Sequence, residues 1–219
     1  MTHLLDSMPT LRPPLPPAAI VPTVRLRLVS RLRGRIVAEY AQPAHTWVRN
    51  FHNWLYAVAA GFIPSGSTFG AGYLSLKDTA GTVANLAAAS YSHVIAGAVN
   101  QSAYGILCGR GTSAESYESY VLATPITHGT GANQLSHRAG SAIAPAYTAG
   151  TKTWASSFNR LFDNSSGSTI TVTETGIVAR ANNTSANYLL CRDLLASSVD
   201  VLNSGTLTVT YDISLVFPG

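Results

Sequence analysis

Thr206-Leu-Thr-Val-Thr-Tyr-Asp-Ile-Ser-Leu-Val-Phe217 alternates without a break. Leu207, Val209, Tyr211, Ile213, Leu215 and Phe217 share one parity; Thr206, Thr208, Thr210, Asp212, Ser214 and Val216 share the other. Successive side chains of a strand point to opposite faces, so this pattern predicts a long strand with one buried and one wet face. A strand wet on one side belongs to an antiparallel sheet.

The front of the chain repeats the period of two. Val24, Leu26, Leu28, Leu32, Ile36 and Ala38 fall on even positions, and Arg25, Arg27, Arg31, Arg33 and Arg35 on odd ones. Parity does not break over residues 24–40. A two-residue hairpin loop would switch it, so the reading is one long strand bent at Gly34, or a hairpin with an odd-length loop. Either way five arginines share a face. Residues 46–60 change to helical spacing, with Trp47, Phe51, Trp54, Leu55 and Val58 on one side, Thr46 as cap and Gly61 as stop.

Elsewhere short apolar runs alternate with Gly, Asn and Ser turns. Tyr73–Lys77 and Thr82–Leu86 predict a small hairpin. Tyr104–Cys108 predicts a buried strand before the loop Gly109-Arg110-Gly111-Thr112. Trp154–Phe162 and Thr169–Val178 flank Asp163-Asn164-Ser165-Ser166-Gly167, a hairpin signal. Tyr188–Leu195 predicts one more strand. The expectation is a mainly β protein: an antiparallel β-sandwich, jelly-roll-like, with one amphipathic helix. Residues 23–219 form this single domain, with the Arg-faced strand at 24–40 and the helix at 46–60. Residues 1–22 hold six of the eleven prolines and read as an extended arm.

Charge is scarce and uneven. Of 219 residues only 11% are charged, so little of the surface is built to keep a lone monomer in solution. Residues 1–50 carry seven arginines against Asp6 and Glu39, a balance of +5, while the rest balances at −1. The longest apolar run, Trp54–Ile63, is too short to span a membrane. The first residues lack the basic and apolar regions of a secretory signal.

Candidate residues divide into contacts and buried charges. Leu11, Leu15, Ile20 and Val21 are the apolar anchors expected of the arm on a neighbouring subunit. Arg25, Arg27, Arg31, Arg33 and Arg35 are expected to meet acidic side chains or carbonyls of a partner; nucleic acid is the less favoured partner of that face. Glu174, Arg160 and Arg192 each sit on the apolar parity of a strand. A lone buried charge is too costly, so they are expected to form a structural ion pair, Glu174 with Arg160 or Arg192. Cys108 and Cys191 read as buried small hydrophobes. The histidines are scattered, no acid pair or nucleophile–base pair can be assigned, and neither a metal nor a cofactor is expected.

Three segments resemble structural proteins of tailed bacteriophages. These are Gly105–Ile126, with its Gly-Arg-Gly-Thr loop; Phe158–Ile177, a polar turn running into Thr173-Glu174-Thr175-Gly176; and Leu189–Tyr211, with its Thr-rich close. The resemblance covers about residues 104–216. It implies a non-enzymatic virion protein, made in the host cytoplasm, that assembles as a symmetric oligomer on the capsid or at the neck or tail through its arm and strand edges. Its partners would be copies of itself and other virion proteins. The competing reading is a receptor- or glycan-binding sandwich at a tail tip, for which Tyr117 and Tyr120 are the candidate exposed rings.

Overall fold

The computed structural model describes residues 23–44, 47–60, 75–85, 93–181 and 185–216. Twelve strands and one helix follow in the order β1 (Thr23–Leu32), β2 (Arg35–Pro43), α1 (Arg49–Ala60), β3 (Ser75–Lys77), β4 (Val83–Asn85), β5 (His93–Val94), β6 (Gly105–Gly109), β7 (Ser136–His137), β8 (Ser141–Thr148), β9 (Thr153–Asp163), β10 (Ile170–Ala181), β11 (Asn187–Val201) and β12 (Gly205–Val216). The fold is the expected antiparallel β-sandwich with one helix. Its larger sheet runs β2-β1-β12-β9, with β7 and β8 both on the far side of β9. The second sheet runs β11-β10, with β5 and β6 both on the far side of β10; β3 and β4 pair as a separate hairpin.

The two sheets differ in how they meet water, and the sequence pattern follows. Val24, Leu26 and Leu28 of β1, Leu207, Val209 and Tyr211 of β12 and Phe162 of β9 pack on Val172, Ile177, Ala179, Cys191 and Val199 of the second sheet. The larger sheet is wet behind, so β12 alternates. The second sheet is covered on its back as well: Val178 and Leu189 pack there with Val48, Leu107 and Leu122. Hence Glu174–Ala179 and Tyr188–Asp193 are buried continuously, without alternation.

The helix and the segment after β6 supply that third layer. Val48 N–H donates to Leu190 O, and Trp47 bridges to Cys191. Trp47 stacks on Phe51 at 4.1 Å between centroids. Asn50 accepts from Lys77 N–H and donates to Lys77 O, fixing the small hairpin to the helix. Leu55 departs from the expected apolar side and is exposed. Thr46, Gly61 and the arm residues Leu11, Leu15, Ile20 and Val21 lie outside the described residues.

Residues 24–40 are a hairpin, not one long strand. Arg33 (φ 50°) and Gly34 (φ 79°) form the two-residue turn. Two positive φ angles match the right-handed twist of the flanking strands. Arg33 occupies a left-handed position that costs a non-glycine residue about 1 kcal/mol. Parity survives because Val37 bulges out: Arg31 pairs Ile36, but Ser30 pairs Ala38. The turn switches parity and the bulge switches it back. Between them lies Arg35, paired with Leu32 and so on the opposite face from Arg25, Arg27 and Arg31. The single row of five arginines is therefore replaced by three on one face, Arg33 at the apex and Arg35 behind.

A second expectation fails for a different reason. Asp163–Gly167 is not a hairpin turn, because β9 pairs β12 and β10 pairs β11. The segment is a corner between sheets. Buried Asn164 holds it, donating from Nδ2 to Ser168 O and Val201 O and accepting at Oδ1 from Ser166 N–H. Turn-forming chemistry is local and legible; the choice of the next strand's partner is not.

Candidate functional site

The most charged interior region is built on β10 and β11. A register irregularity after Val172 changes which side chains of β10 face the other sheet. Ile170 and Val172 pack between the sheets. Beyond the irregularity Thr175 faces inward, and Glu174 turns to the back of the sheet, under the segment 109–124. Its shared parity with Ile170 and Val172 therefore does not put it between the sheets.

Glu174 is fully buried and fully satisfied. Its Oε1 accepts from Gly111 N–H at 3.0 Å and Thr124 N–H at 2.8 Å, and its Oε2 from Ala123 N–H at 3.1 Å and Arg192 Nε at 2.7 Å. Arg192, opposite Gly176 on β11, donates onward to Ala114 O and Ser113 O. The pair thus threads a chain segment with no regular structure of its own onto the sheet. It also explains the Gly-Arg-Gly sequence. A Cβ on Gly111 would stand 2.5 Å from Glu174 Oε1, and one on Gly109 would clash with the same oxygen. Only glycine lets the backbone come this close.

Arg160 sits elsewhere and takes no carboxylate. All five of its N–H donors meet backbone carbonyls: Nε that of Arg138, Nη1 those of Tyr104 and Ile106, Nη2 those of Ala98 and Gln101. Burial lowers its pKa, and carbonyl dipoles replace the counter-ion. The expected choice between Arg160 and Arg192 as partner of Glu174 falls on Arg192. Gly97 and Gly105 clear space for the Arg160 guanidinium.

A buried network crosses between the sheets. Tyr211 Oη donates to Asp193 Oδ2 at 3.1 Å and lies 2.7 Å from Thr175 Oγ1. Burial pushes the Tyr211 hydroxyl and both thiols, Cys108 and Cys191, well above their ordinary pKa values. The thiols stay protonated and unreactive at neutral pH. His137, packed edge-on against Phe162, is held down to about 4, by burial first and by the Arg160 charge; its Nδ1–H donates to Gln101 O. Among the described residues no group of three His, Cys, Asp or Glu could hold a metal, and no helix is long and apolar enough to cross a membrane. These interior groups bind the fold together.

No family model, curated protein or solved structure matches the chain. What the described residues leave open to a partner is the surface.

Two exposed hairpins stand out there. In the first, Arg27 pairs with Glu39 at 2.8 Å, while Arg25, Arg31, Arg33 and Arg35 meet no carboxylate among the described residues. In the second, every residue of β8 is exposed, and no charged residue occurs between Arg138 and Lys152. Ile143 is 56% and Tyr147 58% exposed. β8 went unread in the sequence because it has no apolar alternation; its signal is the uncharged run Ala139–Thr151 bounded by Gly140 and Gly150. Tyr117 is 49% exposed, beside Arg49 and His52, whereas Lys77 Nζ lies 3.8 Å over the ring of Tyr120.

Proposed function

We propose that the chain is a structural subunit of a tailed-phage particle, acting by assembly with copies of itself and other virion proteins rather than by catalysis. The observation that carries this reading is β8. Among the described residues β8 pairs with β9 alone, and its eight exposed residues, without charge and with large apolar side chains, make a surface suited to contact with another chain. Pro145 and the register shift between Ile143 and Ala146 limit how an added strand can pair. The low overall charge, and the likeness of residues 104–216 to phage structural proteins, point the same way. The position would be on the capsid or at the neck or tail, with residues 1–22 and the strand edges as contacts. The interior supports assembly over chemistry, since its carboxylates and thiols are caged.

Light scattering on the full chain at micromolar concentration tests this. The expected result is a defined oligomer that Ile143→Asp with Tyr147→Asp dissociates while the melting temperature of the fold is kept. A monodisperse 23.0 kDa monomer for the unaltered chain would refute it.

A further inference from the structure

Cations are few on this chain, yet three of them gather at one turn. Arg31, Arg33 and Arg35 lie within five residues around Gly34. Beyond its chain neighbours, no atom of the described residues lies within 4 Å of where a side chain on Gly34 would begin, so the turn is open there. Ile36 and Val37, 52% and 46% exposed, give the tip an apolar flank. The register places Arg31 on one face of the ribbon and Arg35 on the other, with Arg33 at the apex.

That arrangement restricts the partner in two ways. A flat anionic surface would engage one face of the ribbon and leave the other cation idle, so the partner has two anionic walls. In a second copy the described carboxylates are each already engaged within their own chain. Glu39, Glu118, Asp163 and Glu174 hold Arg27, Arg49, Arg138 and Arg192. The remaining described carboxylates accept from backbone or hydroxyl groups: Asp78 from Ala80 and Thr82, Glu115 from Leu194, Asp200 from Thr171, Asp212 from Ser157 and Asp193 from Tyr211.

We propose that the β1–β2 tip enters the major groove of duplex DNA. The groove is about 12 Å wide and admits a two-stranded ribbon, with a phosphate wall on each side. Arg31 and Arg35 meet the two walls and Arg33 points to the floor. Arginine suits the task because its planar fork grips phosphate oxygens in pairs. Ile36 and Val37 match the apolar thymine methyl groups that the same groove presents. This contact is independent of the assembly reading: a monomer would make it equally well.

The test is a fluorescence anisotropy titration of the full chain against a labelled 20-base-pair DNA duplex at several salt concentrations. Two phosphate contacts, from Arg31 and Arg35, give a slope of about −1.8 in log K against log salt, or roughly 12-fold weaker binding at 200 mM than at 50 mM. The variant with Arg31→Ala, Arg33→Ala and Arg35→Ala is expected to bind at least tenfold more weakly at 50 mM and to lose the slope. Arg25→Ala, away from the tip, should stay within twofold of the unaltered chain. Arg33→Asn guards against a folding artefact, because Asn suits the left-handed position: melting temperature should rise while DNA binding weakens. Absence of binding at 50 mM, or an unchanged slope in the triple variant, would overturn the proposal. So would poly-glutamate competing as well as DNA at equal charge, which would make the partner an acidic protein surface.

Discussion

The back of the second sheet and the tip of the β1–β2 hairpin treat charge in opposite ways. Around Glu174 every polar atom has a partner, and the ion pair ties the segment 109–124 to β10 and β11. At the tip the three arginines have no carboxylate beside them among the described residues. A buried charge is kept only where its surroundings satisfy it completely, so it becomes an obligatory part of the fold. An exposed one adds little to stability, and is free to serve a contact. Substitution should therefore damage folding at the first place and leave it intact at the second.

Glu174→Gln offers the sharpest way to break that contrast. The amide would turn an N–H₂ toward Ala123 N–H and Arg192 Nε–H, stranding a buried cation, at a cost on the order of 3–5 kcal/mol in urea unfolding. A loss under 1 kcal/mol would mean that the cage is not what holds the segment. Next comes pH. The folded-state pKa of His137, about 4, lies below the ~6.5 of an unfolded imidazole, so between the two values the unfolded chain binds more protons. The stability His137 contributes is complete above pH 6.5 and falls as pH drops through 4, by on the order of 2–3 kcal/mol. Denaturant midpoints measured from pH 7 to 4 should show this fall, and His137→Gln should remove that share of it.

Gly111→Ala probes the same cage by steric means. The added methyl meets Glu174 Oε1 and Ala123 Cβ at 2.5 Å each, so an overpacking cost of about 1–3 kcal/mol is expected in thermal or urea unfolding. Arg33→Asn, at the exposed tip, should act in the other direction, stabilising by several tenths of a kcal/mol through relief of the left-handed strain. If it destabilises instead, the tip is more tightly packed than its open surroundings indicate.

Much of the fold was legible because its causes are local. Leu207, Val209 and Tyr211 announced β12 by alternation, since one face of the larger sheet is wet. The Phe51–Trp54 spacing announced the helix, which begins at Arg49 rather than at 46, because Trp47 bridges to Cys191 instead of coiling. Glu174 was conspicuous as a carboxylate among apolar neighbours, which is why its burial and an arginine partner could be expected. The face it uses could not be foreseen, because a register irregularity in β10 leaves no mark in the residues around Thr173. The same holds for Val37, whose bulge preserved the parity of residues 24–40 and so concealed a turn.

The sequence by itself determined most of the segments that extend, the one that coils and which charges must find partners. Dihedral preference, hydrophobic period and desolvation act within a few residues, so they can be read along the chain. Only the tertiary structure decided that β9 and β10 part into different sheets at Asn164, that Arg192 rather than Arg160 meets Glu174, and that Arg35 turns away from Arg31. Those outcomes depend on which strand fills each place in a sheet. Partner choice is settled by burial and register summed over residues far apart in sequence, and no single residue carries that sum.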